Sequence, residues 1–449
     1  MLFVKRISLF VLVGFVFCVN GQWVARAGDW VLYEGDFYAH FPKSDWQAVS
    51  DKQKKESLFF SFLKKQAAVK ESLSLGLQYN FEVTKKISTR EKMLLVNEYY
   101  MRHFLGSVVP SSALMFCKNN LKKEVFVKHI LIKEGAISPK AIKDSLLGGA
   151  LFSSLATTHS KDPSVVNNNG SLGWLSLGQT VPEFESVVFG LCVGCVDVVE
   201  TSFGSHIVLV DSIRASKYVD LPVENYDDFA FRFATAYIKE DLKTLASNHD
   251  SLLLKSNKVH FNQEALQRLV ASIKKQKKES AQSKKGFDGL LLLKNYPEVL
   301  VSYNGELLGG AWFANKLSYS LKSTVLSSSI DELKQEFVTV LLRDIAFNQA
   351  LELGLNKNFT FSSQFKNVSE SVLEKAFLKH LISSVSSPTK DEIVDFFNSS
   401  NQGNRSLDVA YNSIEAVLLK EKQEKAKDAF FESVVKGGLF EINKGWLYD

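Results

Sequence analysis

Cysteines, an excess of one charge and long apolar segments are all scarce in this chain of 449 residues. Four cysteines are too few for a disulfide scaffold. The formal net charge of +5 falls to +2 when residues 1–27 are removed, because they carry Lys5, Arg6 and Arg26 and no acidic residue. Such a charge gives no electrostatic basis for binding nucleic acid. Beyond residue 19 no segment is apolar enough to span a membrane.

The N-terminus has the layout of a secretory signal peptide. Lys5 and Arg6 precede an apolar stretch at residues 7–19, and residues 25–27 read A-R-A, which is an A-x-A cleavage site. The stretch is short for a membrane span, which needs about 20 residues. We therefore expect cleavage after residue 27 and export to the periplasm or another extracytoplasmic compartment. The alternative is an uncleaved segment that anchors the chain to the inner membrane.

Two of the three cysteines beyond the signal, Cys192 and Cys195, stand in a C-V-G-C sequence. Such a pair can be redox-active in an oxidising compartment, but no thioredoxin-like βαβ pattern surrounds it. We favour a local disulfide, or two free thiols, over a redox function.

Two strand-like segments each carry one histidine among apolar neighbours. Residues 125–132, which include His129, alternate between apolar and polar side chains, and residues 205–211 follow His206 with I-V-L-V. Residues 138–158 between them have a helical pattern. The pattern predicts a small α+β domain.

The histidines alone leave three interpretations open. A histidine on an apolar strand is more often a hydrogen-bonded core residue than a catalyst. A metal site fits less well, because Asp162, His159 and the two nearby cysteines lack a recognised ligand spacing. We therefore expect neither a metal nor a cofactor.

Five motifs between residues 125 and 212 occur in the order and spacing of one enzyme family. They are V-K-H-I-L-I-K at residues 127–133, S-K-D-P-S at 160–164, G-S-L-G-W-L-S-L-G-Q at 170–179, V-P-E-F-E at 181–185 and F-G-S-H-I-V-L-V at 203–210. Together they resemble the parvulin, or rotamase, family of peptidyl-prolyl cis/trans isomerases. The resemblance covers about a fifth of the chain.

The resemblance implies a function for seven residues. The catalytic group would be two back-to-back histidines and an acidic partner, namely His129, His206 and Asp162. The substrate would be bound by Leu172, Thr180, Phe184 and Phe203. Rotation about an X-Pro bond crosses a barrier of roughly 18–20 kcal/mol without breaking a bond. The site therefore needs only to bind the twisted amide better than the planar forms.

Two positions depart from the family pattern. The G-G-D-L-G loop of the family reads N-G-S-L-G at residues 169–173, and Thr180 stands where methionine is usual. A hydroxyl in an apolar wall should weaken binding of the proline ring. These departures keep open a domain without turnover.

The rest of the chain contains an internal repeat. Three motifs occur in both halves: V-L-Y-E-G-D at residues 31–36 and V-S-Y-N-G-E at 301–306, L-G-L at 75–77 and 353–355, and V-H-F-N-Q-E-A-L at 259–266 and F-E-I-N-K-G-W-L at 440–447. The offset falls from 278 to 181, a difference about equal to the length of the parvulin-like segment. Two copies of one helical unit are therefore predicted, with the isomerase inserted in the first.

These patterns predict an α+β chain in which a small parvulin α/β domain is inserted in a mostly α-helical body of two related copies. The expected boundaries are 1–27 for the signal peptide, 28–121 for the first copy, 122–214 for the isomerase, 215–270 for the continuation of the first copy, 271–298 for a basic linker and 299–449 for the second copy.

This arrangement resembles the SurA-like group of periplasmic chaperone-isomerases. The resemblance implies an isomerase and chaperone that assists the folding of secreted or outer-membrane proteins. Its partners would be unfolded or nascent polypeptides, with no nucleic acid and no stable membrane span after signal cleavage. The alternative is a holdase chaperone whose inactive parvulin domain only binds unfolded polypeptide.

Overall fold

The chain divides into two compact units. Unit 1 combines Met1–Leu94 with Phe361–Asp449, and unit 2 is Leu95–Thr360. The computed structural model describes residues 21–38, 40–41, 46–47, 49–133, 137–219, 223–283, 286–318, 326–399, 406–436 and 438–448. Within these ranges no helix is long and apolar enough to span a bilayer. The apolar stretch predicted at residues 7–19 lies outside them.

Unit 1 begins with a β-hairpin and a long helix. Its first elements are β1 (Trp23–Ala27), β2 (Trp30–Tyr33), α1 (Glu34–Tyr38), α2 (Lys52–Ser74), a 3-10 turn (Leu77–Tyr79) and α3 (Phe81–Tyr99), whose last turn belongs to unit 2. The Asp51 side chain caps α2 by accepting a hydrogen bond from the backbone N–H of Lys54. The helix ends where Gly76 adopts a φ of +69°, a left-handed conformation that favours glycine.

Unit 2 contains the parvulin-like segment. A π-helical turn (Tyr100–Phe104), α4 (Leu105–Val108) and α5 (Ser111–Asn120) lead into it. Its elements are β3 (Lys123–Ile132), α6 (Pro139–Leu147), α7 (Phe152–His159), α8 (Val165–Asn168), β4 (Ser171–Leu175), α9 (Pro182–Val188), β5 (Val196–Thr201) and β6 (Gly204–Ala215). The four strands form an antiparallel sheet in the order β4-β3-β6-β5.

The remainder of unit 2 is mostly helical. Its elements are α10 (Val223–Ala234), a 3-10 turn (Thr235–Tyr237), α11 (Leu242–Ser256), β7 (His260–Phe261), α12 (Gln263–Ser283), α13 (Gly289–Lys294), β8 (Val299–Tyr303), β9 (Glu306–Gly309), α14 (Gly310–Leu317) and α15 (Ile330–Glu352). A second sheet has the order β7-β8-β9. Leu266, Leu269 and Ile273 of α12 are buried in one cluster with Phe313 and Phe337.

The last fifth of the chain completes unit 1. Its elements are α16 (Phe359–Ser383), which begins at the end of unit 2, α17 (Lys390–Ser399), α18 (Leu407–Val435), β10 (Glu441–Ile442) and α19 (Lys444–Tyr448). β10 pairs with β1 in a sheet of order β10-β1-β2. Trp446 and Leu447 of α19 are buried in one cluster with Phe37 and Phe59.

The two small sheets are built alike, and each is completed by the end of the other copy. β7 ends the first copy but pairs with β8 of the second, whereas β10 ends the second copy but pairs with β1 of the first. An asparagine follows each strand and caps the next helix. Asn262 accepts a hydrogen bond from the N–H of Ala265, and Asn443 accepts one from Trp446. The repeat therefore corresponds to an exchange of terminal segments.

The long helices also match. α2 and α15 each contain 23 residues, and the glycines that follow them, Gly76 and Gly354, both have a φ of +69°. This conformation explains the repeated L-G-L motif. The predicted fold class is confirmed: a small α+β segment lies within a mostly helical body of two related copies.

One repeated motif is not structurally equivalent. Residues 31–33 of V-L-Y-E-G-D lie in the edge strand β2, but residues 301–303 of V-S-Y-N-G-E lie in the central strand β8. The strand that corresponds to β8 is β1, since these two strands form the centres of the sheets. Strands with apolar residues have similar sequences, which explains why the motif matches β2 with β8 instead of β1 with β8.

Two expected boundaries differ from the structure. Cleavage after residue 27 would remove β1, whose Val24 and Ala25 are fully buried. The basic linker expected at 271–298 instead contains the end of α12 and all of α13, because Ile273, Leu292 and Leu293 are core residues.

The isomerase expected at 122–214 shares its core with flanking helices. Ala113 and Cys117 of α5 and Ala230 and Ala234 of α10 are buried in one cluster with residues of the sheet, such as Val125. The buried core therefore extends beyond both expected boundaries.

Candidate functional site

The two predicted histidines lie side by side on the central strands of the four-stranded sheet. His129 of β3 stands opposite Val208, and His206 of β6 stands opposite Leu131, so the histidines are diagonal neighbours on one face. Their rings are nearly parallel, with centroids 5.4 Å apart and an interplanar angle of 20°. The two Nδ1 atoms are 3.2 Å apart, which is a hydrogen-bonding distance.

Asp162 lies at the outer end of this pair. Its Oδ2 is 2.7 Å from His129 Nε2, and its Oδ1 accepts a hydrogen bond from the N–H of Ser164. The preceding loop is attached to β3, because Ser160 Oγ accepts a hydrogen bond from the N–H of Leu131. The structure thus brings together all three residues predicted as catalytic.

Thr201 extends the chain of contacts at the other end. Its Oγ1 lies 2.8 Å from His206 Nε2. With both histidines neutral, one proton fits each link: the Thr201 hydroxyl donates to His206 Nε2, His206 Nδ1–H donates to His129 Nδ1, and His129 Nε2–H faces the Asp162 carboxylate. Every ring nitrogen then faces a polar atom, although the contact between His129 Nε2 and Asp162 has the distance of an ion pair without the alignment of a hydrogen bond.

The surroundings favour this neutral pair. Burial lowers the pKa of His129, although the Asp162 carboxylate opposes the shift. Burial and the charge of a protonated His129 lower the pKa of His206 to about 4, against the effects of Asp162 and Glu200. Burial alone would raise the pKa of Asp162, but hydrogen bonds from Ser164 and the neighbouring His129 lower it below its usual range. Near pH 7 the site therefore contains two neutral imidazoles and one carboxylate.

Phe184 forms an apolar wall beside the histidines. Its ring meets both imidazoles edge to face, at centroid distances of 6.2 Å from His129 and 5.3 Å from His206. Phe184 projects from α9, which begins at Pro182 because proline suits the first turn of a helix. Leu172 of β4 packs, partly buried, against the same cluster.

Thr180 and Phe203 are less tightly held than Phe184. Thr180 is partly buried and ends the turn that precedes α9. Phe203 lies in the turn between β5 and β6 with 61% of its surface exposed, and its backbone N–H donates to Thr201 Oγ1. An exposed aromatic ring beside a buried polar chain is available to a ligand.

Sequence reasoning missed Thr201 and Glu185. Thr201 lies two residues before the F-G-x-H motif. Its contact with His206 depends on the pairing of β5 with β6, which the sequence does not show. Glu185 is part of V-P-E-F-E but is 2% exposed, an unusual burial for a carboxylate. Its Oε1 accepts hydrogen bonds from the N–H groups of Gly178 and Thr180, at 2.7 and 3.2 Å.

The three cysteines within the described residues have no place in this site. Cys192 and Cys195 form a disulfide, one of the two interpretations favoured from sequence. Burial raises the pKa of the Cys117 thiol to about 12, which keeps it protonated and unreactive. Within the described ranges no three His, Cys, Asp or Glu side chains are grouped to hold a metal ion.

Comparison with known proteins relates this segment to one family. A family model described as the PPIC-type PPIASE domain matches residues 114–213. The foldase protein PrsA of Halalkalibacterium halodurans is 35% identical over 128 residues, which are 28% of this chain and 38% of that protein. The chaperone SurA of Alcanivorax borkumensis is 38% identical over 98 residues, 20% of this chain and 22% of that protein.

A solved structure, the parvuline of Nitrosopumilus maritimus, is 32% identical, with a TM-score of 0.19, and the similarity covers 20% of this chain and 97% of that one. The similarity to the two curated relatives spans less than two fifths of their own length. Residues 114–213 form a PPIC-type peptidyl-prolyl isomerase domain that is homologous to those of PrsA foldases and SurA chaperones.

Proposed function

We propose that the protein is a peptidyl-prolyl cis/trans isomerase that also holds unfolded polypeptides in the cell envelope. The observation that carries the first part is the continuous chain of Thr201, His206, His129 and Asp162 beside the ring of Phe184. It combines a polar network with an apolar wall, which are the two features that a rotating X-Pro amide requires.

The proposed mechanism is selective binding of the twisted amide. As the amide rotates it loses its conjugation, and charge redistributes between the carbonyl oxygen and the prolyl nitrogen. Phe184, with Leu172 and Thr180, would hold the proline ring away from water. A proton on His129 would reverse the donor and acceptor of the His129–His206 link, so the polar chain can follow the charge without a bond being broken.

Clients are proposed from the resemblance and from the relatives. PrsA is named a foldase and SurA a chaperone, and the body of this chain is mostly helical outside the isomerase. We assign the binding of unfolded or nascent secreted and outer-membrane polypeptides to that body. The holdase without turnover remains the second candidate, because Thr180 departs from the family pattern.

Export by a cleaved signal remains part of the proposal, with a revised site. β1 begins at Trp23, and the burial of its Val24 and Ala25 supports a cleavage site that precedes it. Gly21 provides a small residue just before it, as cleavage sites require. Mass spectrometry of the exported protein should find an N-terminus between residues 20 and 23. A mature chain that starts at Gly28 would overturn this placement.

Exchange spectroscopy by NMR on a short X-Pro peptide tests the isomerase. Catalytic amounts of the purified full chain should speed the exchange between the cis and trans forms of the peptide and so broaden their signals. His206→Ala should lower the catalysed rate at least about 10-fold, as expected of a group that acts in the transition state. His260→Ala is the matched control, because His260 is an exposed histidine of the same unit. Rates equal to the uncatalysed reaction would favour the holdase.

A further inference from the structure

The turn that carries Thr180 is held by a buried carboxylate. Glu185 Oε1 accepts hydrogen bonds from the backbone N–H groups of Gly178 and Thr180, at 2.7 and 3.2 Å. Glu185 lies next to Phe184 in α9, and consecutive helical residues point about 100° apart. One helix therefore presents Phe184 to the histidines and Glu185 to the turn.

The other oxygen of this carboxylate is bound from outside the family domain. Tyr237 donates its hydroxyl to Glu185 Oε2 at 3.1 Å. Tyr237 lies in the 3-10 turn after α10, beyond residue 213, where the family match ends. The side chain of Glu185 is therefore shared between the turn and the helical body.

Phe233, which belongs to α10 just before Tyr237, packs over the turn. Gly178 has a φ of +84°, and a Cβ atom there would lie 2.6 Å from Phe233 Cε1. Only glycine fits against this ring. Phe233 of α10 thus covers the turn from one side, while Glu185 fixes it from within.

We propose that Tyr237 and Glu185 are positioning residues that set the Thr180 wall of the proline pocket, so that the helical body tunes substrate binding by the isomerase. This inference rests on the proposed function. Neither side chain needs to touch the substrate, because both act through the backbone of residues 178–180.

Burial supports a role that depends on hydrogen bonding. Burial raises the pKa of Glu185, although the N–H groups of Thr180 and Gly178 and the Tyr237 hydroxyl oppose the shift. A buried carboxylate is costly unless its oxygens are satisfied. The three hydrogen bonds from Gly178, Thr180 and Tyr237 therefore offset the cost of burying the Glu185 carboxylate.

Tyr237→Phe is the main test, since it removes one hydroxyl and keeps the ring. We expect the KM for a proline peptide to rise about 5-fold, a change of about 1 kcal/mol, with kcat changed less than about 2-fold. A loosened pocket wall weakens binding of the ring in the planar and twisted states alike, and such a uniform loss raises KM. The dissociation constant of the peptide, measured by NMR titration, should rise by the same factor.

Tyr226→Phe is the matched control. Tyr226 of α10 is, like Tyr237, a partly buried tyrosine that packs against the cluster containing Phe184, but its hydroxyl donates to the backbone carbonyl of Lys118. The two variants should lose similar stability. A purely structural role of Tyr237 would lower the active fraction in both and leave KM unchanged in both.

Glu185 provides the rescue experiment. Glu185→Met keeps the volume but removes both acceptors, so it should raise KM at least as much as Tyr237→Phe. Glu185→Gln keeps one acceptor for the turn and can donate to the Tyr237 oxygen, so KM should stay within about 2-fold of the wild type.

The outcomes separate this inference from the proposed function. A wild type that binds the peptide without accelerating its isomerisation would refute the proposed activity, and the dissociation constants would still test the positioning. An unchanged KM and dissociation constant in Tyr237→Phe would overturn the inference while the activity stands. A wild type that does not bind the peptide would overturn both.

Discussion

The two small sheets follow one plan but are anchored by segments of very different size. In unit 2 the two-residue strand β7 is followed by the 21-residue helix α12. In unit 1 the two-residue strand β10 is followed by the five-residue helix α19. The shorter anchor compensates with large side chains: the ring of Trp446 stacks on Trp46 at a centroid distance of 5.7 Å. The same exchange can thus be stabilised by length or by aromatic volume.

The two copies also differ in whether a further domain is inserted between their helices. Unit 2 contains the isomerase domain, and its flanking helices α5 and α10 share the core of that domain. In the second copy α16 leads to α17 through residues 384–389 without an insert. The insert has therefore become part of the packing of one unit, and the other unit shows the connection without it.

Deletion of residues 439–449 should have the largest effect, because it removes β10 and α19. Phe440, Trp446 and Leu447 leave the core, and each such side chain contributes about 1.5–3 kcal/mol, a large part of the about 5–15 kcal/mol that stabilises a typical domain. Amide hydrogen exchange should show loss of protection in β1, β2 and α2. Tyr448→Ala, at a position 44% exposed, is the control, and unchanged protection after the deletion would refute the exchange.

Two excised fragments of different length test where the isomerase domain ends and the helical body begins. We expect residues 109–238 to fold cooperatively, because they include α5, α10 and Tyr237. Residues 122–214 lack the partners Ala113, Cys117, Ala230 and Ala234 and should melt at a lower temperature with poorly dispersed NMR signals. Equal melting temperatures for the two fragments would restore the shorter boundaries expected from sequence.

Leu269→Ala tests the longer anchor. Leu269 of α12 is fully buried, so truncation should cost about 2–5 kcal/mol, seen as a lower urea midpoint for unit 2. Leu252→Ala on α11, where the side chain is 64% exposed, should change stability by less than about 0.5 kcal/mol. Equal effects of the two variants would show that α12 is not an anchor.

The histidine pair predicts a pH dependence specific to unit 2. The pKa of His206 is about 4 in the folded protein and about 6.5 in an unfolded chain. Between these two pH values the unfolded state therefore binds more protons than the folded state. The contribution of His206 to the free energy of unfolding is thus greatest above pH 6.5 and declines as the pH falls towards 4. His206→Gln should flatten this slope, which is at most about 1.4 kcal/mol per pH unit. A slope unchanged by the substitution would exclude His206 as its source.

Thr180→Met has the smallest expected effect. Replacing a hydroxyl that costs about 1–3 kcal/mol to desolvate should lower the KM for a proline peptide and so raise kcat/KM several-fold. Thr157→Met on α7, at an exposed threonine, should leave kcat/KM unchanged. An unchanged or lower rate in folded Thr180→Met would show that this residue does not form a wall of the site.

The sequence predicted the histidine pair better than the residues that support it. His129, His206 and Asp162 belong to motifs whose order and spacing agree, and the structure brings them within hydrogen-bonding distance. Thr201 and Glu185 act through contacts that depend on the strand register and on a turn, and no local pattern encodes those. Their burial becomes visible only in three dimensions.

The body shows the same division. The repeat predicted two related copies. It could not predict that the terminal strand of each copy pairs with a strand of the other copy, because a sequence offset shows which segments are similar and not which segments are in contact. The A-R-A sequence suggested cleavage after residue 27, since small residues suit both a cleavage site and the buried side of β1. The lysines after Ile273 suggested a linker, although α12 continues through them to Ser283.

The exchange of terminal segments has a consequence for the order in which the protein matures. A chain emerges from the ribosome with its N-terminus first. All of unit 2 has emerged once Thr360 is clear, so the isomerase can be complete while a fifth of the chain is still inside. β1 precedes unit 2 along the chain, yet its partner β10 follows all of unit 2. Unit 1 therefore closes after unit 2 is complete, because β1 has to wait for β10.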